Sequence, residues 1–236
     1  MQKTRFGNRL LDALPRECAD HLLGSEACVD LPLGLALFER DRRPRFLYFL
    51  TSGIASVVFN SERGTSVELS TEGNEGVVGW LHLLGPNPTD GDCTMQVAGS
   101  GYRVSADAMQ RAFDTVPETR RAILEYAQHQ MIVANQVLAC NRLHRAEARF
   151  SRWLLMVSDR IQNDDLPMTQ EFMSIMLGTR RTTVAEVAGD LARAGAVEGR
   201  RGGLRIANRK ALESRACECY KILQTRYNAL FRRGPA

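Results

Sequence analysis

At 236 residues, 44% hydrophobic and 25% charged, the chain has the composition of a globular protein with room for two domains. Disorder, collagen-like repetition and a membrane span, which takes about 18 uninterrupted apolar residues, are excluded as descriptions of it. The net charge of +4 is unevenly spread: residues 141–236 hold 18 Lys+Arg and 10 Asp+Glu, a net of +8, leaving 13 and 17, a net of −4, for residues 1–140. A basic C-terminal part suits a polyanion. Arginine dominates it and favours bidentate recognition of phosphate and guanine.

Met1 to Leu10 carry charges without an apolar stretch, so no secretory signal is expected. The six cysteines, Cys18, Cys28, Cys93, Cys140, Cys217 and Cys219, are then expected to be reduced thiols in a cytoplasmic protein. Their spacing matches no C-x-x-C zinc motif, and Cys217 and Cys219 would not share a helix face. The four histidines show no i, i+4 ligand pair. No metal is expected.

Residues 8–23 read as a short helix with Leu10, Leu11, Leu14, Leu22 and Leu23 apolar. Pro32 and Gly34 break the chain. From Leu35 to about Val104, short apolar or alternating runs stand between glycines: Phe46–Leu50, Ile54–Phe59, Ser66–Ser70, Gly76–Trp80, Met95–Ala98 and Tyr102–Val104. Such spacing predicts an all-β sandwich or roll. Glu118 to Leu143 contains neither glycine nor proline and predicts a long helix. Leu124, Ala127, Met131, Ala134, Leu138 and Asn141 recur 3 and 4 apart, as in a heptad seam, with Asn141 a register-fixing position. A second stripe, Ile123, Tyr126, Val133 and Val137, lies beside it. One stripe can pack on the β domain and the other on a second copy of the chain.

Residues 145–161 predict another helix, with Phe150, Trp153, Leu154, Met156, Val157 and Ile161 as its core. Thr169 is then expected to cap a short helix buried through Phe172, Ile175, Met176 and Leu177, and Gly178 to stop it. Thr179 is expected to cap the next helix, from about Arg180 to Ala192. Two helices across a tight glycine turn make a helix-turn-helix. The second opens Arg180-Arg181-Thr182-Thr183, where a recognition helix meets base edges and phosphates. Gly199-Arg200-Arg201-Gly202-Gly203 and Leu204-Arg205-Ile206 read as a β-hairpin wing. Residues 209–232 predict a single final helix.

The fold class is therefore α+β: an N-terminal jelly-roll-like β-roll (1–117), a dimerisation helix (118–143) and a C-terminal winged helix-turn-helix (144–236). With Tyr48-Phe49-Leu50-Thr51-Ser52-Gly53, Gly73-Asn74-Glu75-Gly76-Val77-Val78-Gly79 and above all Leu166 to Val184, the chain resembles the cyclic-AMP receptor protein/FNR superfamily of bacterial transcription regulators over nearly its whole length. The resemblance implies a homodimeric regulator reading a pseudo-palindromic double-stranded DNA operator, with RNA polymerase as a further partner if it activates. Arg181 matches the family arginine that reads guanine. Thr182 stands where glutamate is frequent, which implies a different operator, and Glu186 is a second candidate base reader. The DNA-facing set is Thr169, Gln170, Arg180, Arg181, Thr182, Thr183, Glu186, Arg200 and Arg201.

The resemblance fails at the effector site. Members that bind cyclic AMP carry Gly-Glu and, some ten residues later, Arg-Ser in a phosphate-binding cassette. Here those places hold Gly79-Trp80 and Asp92-Cys93-Thr94, a carboxylate where the phosphate needs a cation. Only Cys18 and Cys28 lie near the N-terminus, short of the cysteine set of the iron–sulfur branch. Neither cyclic AMP nor an iron–sulfur cluster is expected, and no cofactor. Cupin-like enzymes need inward histidines, whereas His82 stands alone in the β region. A ligand-binding or oligomeric scaffold with a non-functional DNA-binding domain is the alternative.

Overall fold

The computed structural model describes residues 5–24, 28–87 and 89–232. The reading of Met1 to Leu10 thus rests partly on residues outside it. The chain divides into two compact units: Met1–Phe59, Leu69–Met131 and Tyr227–Ala236 form one, Asn60–Glu68 and Ile132–Arg226 the other.

The first unit opens with two helices where one was expected, α1 (Arg9–Ala13) and α2 (Arg16–Leu23). Pro15 forces the split: the residue before a proline is driven out of the helical region, and Leu14 is extended (φ −71°, ψ 154°). Asn8 caps α1 by accepting from the Leu11 N–H, while its amide donates to the carbonyls of Leu50 (2.9 Å) and Gly76 (2.8 Å). Seven strands follow, β4 and β5 sharing the segment Asn60–Glu68 with the second unit: β1 (Val29–Leu31), β2 (Ala36–Phe38), β3 (Phe46–Leu50), β4 (Ile54–Asn60), β5 (Ser66–Glu72), β6 (Asp92–Val97) and β7 (Gly99–Ser105). One sheet runs β1-β7-β3 and the other β2-β6-β4-β5. Leu31 and Leu50 of the first share a buried cluster with Phe38, Ala55, Cys93 and Met95 of the second, the core of a β-roll. The run expected as a strand at Gly76–Trp80 is not one. It makes an isolated bridge, Tyr48 with Val78. Gly79 then turns left-handed (φ 89°) into a 3-10 turn at Trp80–Leu83. Sequence reading also passed over α3 (Ala106–Thr115), which buries Ala106 and Met109.

The second unit holds the end of α4 (Pro117–Leu143), then α5 (Ala146–Ile161), β8 (Asp165–Leu166), α6 (Gln170–Leu177), α7 (Arg181–Arg193), β9 (Val197–Arg200), β10 (Gly203–Ile206), α8 (Arg209–Arg215) and most of α9 (Cys219–Ala229). β8 adds a third strand to the wing, in the order β8-β10-β9. α5 buries Phe150, Trp153, Leu154 and Val157 as its spacing predicts, with Met156 and Ile161 half-buried. Arg209 fastens α8 to α5 through an ion pair with Asp159 and a bond to Ser158 Oγ (3.2 Å). The Tyr220 hydroxyl donates to Asp159 (2.8 Å). Burial and that carboxylate push the Tyr220 phenol up.

The expected helix 209–232 breaks at Ala216, which is extended (φ −73°, ψ 149°). This corrects the reading of Cys217 and Cys219 as helix neighbours on different faces. Cys217 precedes α9 instead of lying within it, and both thiols are buried beside Cys140. Cys140 Sγ and Cys217 Sγ are 3.4 Å apart. Burial and the neighbouring thiols push Cys217 up to about 12, and burial raises Cys219 as well.

α4 begins in the first unit, where Ile123 and Tyr126 are fully buried. The Tyr126 hydroxyl bonds the buried Glu72 carboxylate, which also accepts from Gln130 Nε2 (2.7 Å). Trp80 meets the Tyr126 ring edge-on at 6.0 Å. The ring fits only because residue 76 has no side chain: a β-carbon there would stand 1.9 Å from Tyr126 Cζ. Gly76→Ala is expected to cost about 1–3 kcal/mol, the usual range for overpacking, as read by urea unfolding. Gly76→Ala combined with Tyr126→Leu should recover part of the loss. A Gly76→Ala chain as stable as the original would show that ring and loop are not held together.

Candidate nucleic-acid interface

Thr169 caps α6, its hydroxyl accepting from the Phe172 N–H (3.2 Å). Both Thr169 and Gln170 are exposed. The buried side of α6 is Met173, Ser174, Met176 and Leu177; Phe172 and Ile175, expected there, are half-buried. Gly178 ends the helix in the left-handed region (φ 56°), and its N–H bonds the Ile175 carbonyl. Thr179 does not cap the second helix. Its N–H reaches back to the Ser174 carbonyl (3.0 Å), so it completes the end of α6. Arg180 takes the N-cap position of α7, and no side chain caps it.

α7 is held by Val184, Ala188 and Leu191, all buried. At about 100° per residue, Thr182, Glu186 and Arg193 fall on the opposite face, and all three are exposed. Arg181, at the first helical position, is 68% exposed and lies 3.8 Å from Glu171 at the start of α6. So loose and exposed a pair holds it only weakly. Thr183 is half-buried. Arg193 is a cation on the outward face that the sequence reading did not single out; its pairing with Asp190 is local to α7.

The wing closes over Arg201-Gly202, with Gly203 opposite Arg200 and Gly202 in the left-handed region (φ 78°). Arg201 is exposed at its tip, and Arg200 bonds Glu198 two residues back along the strand (2.9 Å). Thus Arg180, Arg181, Thr182, Glu186, Arg200 and Arg201 are all solvent-facing residues of a compact winged helix-turn-helix.

Along α4, Leu124, Met131 and Leu138 are exposed (48%, 64% and 71%), as is Ala134. Ala127 is not part of that outward row. A step of three residues turns it towards Ile123, and it is buried within its own chain. Asn141 is exposed and accepts from Arg149 Nε (3.1 Å), whose Nη2 in turn donates to the Leu177 carbonyl.

At the cyclic-nucleotide cassette positions, Gly79 starts the 3-10 turn and Trp80 lies against Tyr126. Asp92 accepts the Arg40 N–H (2.9 Å), and Thr94 is half-buried in its strand. Cys93 is fully buried; burial, then Glu72, raises its thiol well above its ordinary value.

Comparison with known proteins agrees with this architecture. The Cyclic nucleotide-binding domain family matches residues 28–116, and the Crp-like helix-turn-helix domain family matches residues 148–215. Among solved structures, a protein described as a Crp/Fnr-family transcriptional regulator from Eubacterium rectale superposes with a TM-score of 0.70 at 14% identity. It covers 88% of this chain and 97% of its own. FixK2 from Bradyrhizobium japonicum gives 0.69 at 15% identity, covering 81% and 97%. A CRP-family transcriptional regulator from Thermus thermophilus gives 0.68 at 20%, covering 80% and 96%. At these identities the likeness to solved structures is one of fold. No protein of curated function matches the sequence. The chain belongs to the CRP/FNR family of transcription regulators, with a cyclic-nucleotide-binding-like β-roll and a DNA-binding helix-turn-helix. Among the described residues, no helix is long and apolar enough to cross a membrane.

Proposed function

We propose that the protein is a cytoplasmic, homodimeric regulator that reads a pseudo-palindromic operator without a cyclic nucleotide as effector. The observation that carries the DNA reading is the α7 start: Arg180 and Arg181 are exposed at a helix N-terminus that no side chain caps. Cations there oppose the helix dipole in the isolated chain. Phosphate or guanine supplies the negative partner that the position lacks. Arg181, Thr182, Thr183 and Glu186 would then meet base edges, Arg180 either base or phosphate, and Arg201 and Arg200 phosphates beside the groove. Thr169 and Gln170 would touch the backbone from the start of α6. Where the bound regulator activates, RNA polymerase is its further partner.

The dimer reading rests on Leu124, Met131 and Leu138, large apolar side chains seven residues apart that the chain leaves in water. The effector reading rests on Trp80 and on Asp92-Cys93-Thr94, which stand where the cassette carries its Gly-Glu glutamate and its Arg-Ser pair.

Genome-wide capture of bound DNA, followed by motif finding, is expected to return an inverted repeat with half-sites about one helical turn, roughly 34 Å, apart. Arg181→Ala should cost about 1–3 kcal/mol per half-site and relax one base position. Arg201→Ala should weaken all sequences alike and reduce the salt slope by about one unit per contact. The reverse assignment, with Arg201→Ala changing the preferred sequence, would displace α7 as the reading helix, and absence of any motif would favour a scaffold.

Leu124→Glu with Leu138→Glu should leave the fold intact, since both residues are exposed, yet sediment as a monomer and lose tight operator binding. A double variant that remains dimeric places the interface elsewhere. Titration calorimetry with cyclic AMP should give no binding heat. A micromolar affinity would overturn the effector reading.

A further inference from the structure

Cys140, His144, Cys217 and Cys219 converge in the second unit. Their four donor atoms, three sulfurs and one ring nitrogen, all lie within 4.8 Å of one another. Cys140 and His144 are one turn apart at the end of α4, and the His144 N–H still bonds the Cys140 carbonyl (3.0 Å), so both side chains leave the same face. The break at Ala216 delivers Cys217 and Cys219 from the other side. We propose that these four residues form a mononuclear tetrahedral site for a thiophilic divalent ion of the zinc class.

Size selects the ion's nuclearity. With metal–sulfur bonds of about 2.3 Å, the sulfurs of a tetrahedral zinc site stand about 3.8 Å apart. The Cys140–Cys217 separation is 3.4 Å, and Cys219 Sγ lies 3.8 Å from His144 Nδ1. The remaining donor atoms are no more than 4.8 Å apart. A polynuclear iron–sulfur cluster needs more room, because sulfurs on different irons are separated by the metal–metal distance as well.

The surroundings fit a ligand set too. The outer nitrogen of His144, Nε2, lies 3.1 Å from Glu218 Oε1. With that nitrogen protonated and donating to the carboxylate, Nδ1 presents its lone pair to the sulfurs, the carboxylate–histidine arrangement that orients metal-bound imidazole. Gln136 Nε2 donates to Cys219 Sγ (3.0 Å), a bond that a thiolate accepts better than a thiol. The three cysteines are at most 8% exposed. Each ion bound releases three thiol protons to solvent and leaves the ligand set with one net negative charge. No electrons are transferred.

The test uses the full chain under reducing conditions, titrated first with Co2+ alone. One equivalent is expected to produce the d–d bands of tetrahedral cobalt and a strong thiolate-to-cobalt charge-transfer band. One equivalent of Zn2+ should bleach both. Cys217→Ser and His144→Ala should remove or shift the bands. Glu218 is 70% exposed. Glu218→Gln is expected to leave the band positions and the unfolding of the metal-free chain unchanged while weakening Co2+ affinity about ten- to a hundredfold. It remains informative if a cysteine variant misfolds. Octahedral cobalt spectra, bands that survive Cys217→Ser, or an unchanged affinity in Glu218→Gln would each overturn the proposal. So would failure of the reduced chain to bind Co2+ while Cys140 and Cys217 readily form a disulfide. Operator binding enters none of these readouts, so the site stands or falls apart from the DNA reading.

Discussion

The orientation of α4 depends on where Tyr126 is buried. Its ring lies against the backbone of Gly76 and its hydroxyl on the buried carboxylate of Glu72, so turning it to water would lose a buried hydrogen bond and open a cavity beside Gly76. An α-helix turns about 100° per residue. With Tyr126 and Ile123 facing the β-roll, Leu124 and Met131 point away from it. Full burial of such side chains is worth roughly 1.5–3 kcal/mol each. The first unit cannot recover that free energy, because its own helix geometry forbids it. The same side chain thus packs the roll and leaves two large apolar residues, Leu124 and Met131, for the proposed seam.

A similar division of labour governs α7. Its inner stripe, Val184, Ala188 and Leu191, supplies the packing, which leaves the outer face and the first turn under no structural obligation. That is where cations sit without strong partners: Arg181 has only a 3.8 Å approach to Glu171, with both side chains about two-thirds exposed. Arg209 provides the contrast. It is two-thirds buried, bonds Asp159, Ser158, Glu213 and Tyr220, and holds α8 on α5. The basic C-terminal half is therefore of two kinds, arginines consumed in the scaffold and arginines left over for a polyanion, and net charge alone does not distinguish them.

The sequence was legible where one period or one turn signal dominated. Thr169, Gly178 and the Gly202 turn are local chemistry, so the helix-turn-helix and its wing could be placed from the residues. α3 was hidden because it follows a strand without a break, and only Ala106 and Met109 mark its buried side. The strand expected at Gly76–Trp80 failed for a tertiary reason: Gly76 is needed under Tyr126 and Gly79 for a left-handed turn, and neither demand shows in an apolar run. Phe172 and Ile175 looked like core because they are large, whereas the short α6 turns Met173 and Ser174 inward instead. Ala127 matched a heptad count, yet it sits about 60° round the helix from Leu124, on the side of Ile123, and is buried within its own chain.

The thiol cluster was the least legible feature, because its partners lie 73 or more residues apart and its geometry depends on the break at Ala216. That separation gives the proposed metal site its physical consequence. Cys140 and His144 precede α5, and Cys217 and Cys219 follow α8, so an ion bound to both pairs closes a loop that contains the whole winged helix-turn-helix. Closing a loop of that length removes much conformational freedom from the unfolded chain. Binding free energy at such a site is folding free energy for everything inside the loop. The ion would also fix the last turn of α4 to the break before α9. It could alter operator affinity only to the extent that it binds the DNA-bound and DNA-free arrangements unequally, and DNA would then alter metal affinity by the same factor. An ion that binds both equally would be structural. The ratio of metal affinities with and without operator therefore separates a stabilising clip from a sensor, whatever the absolute affinity of either.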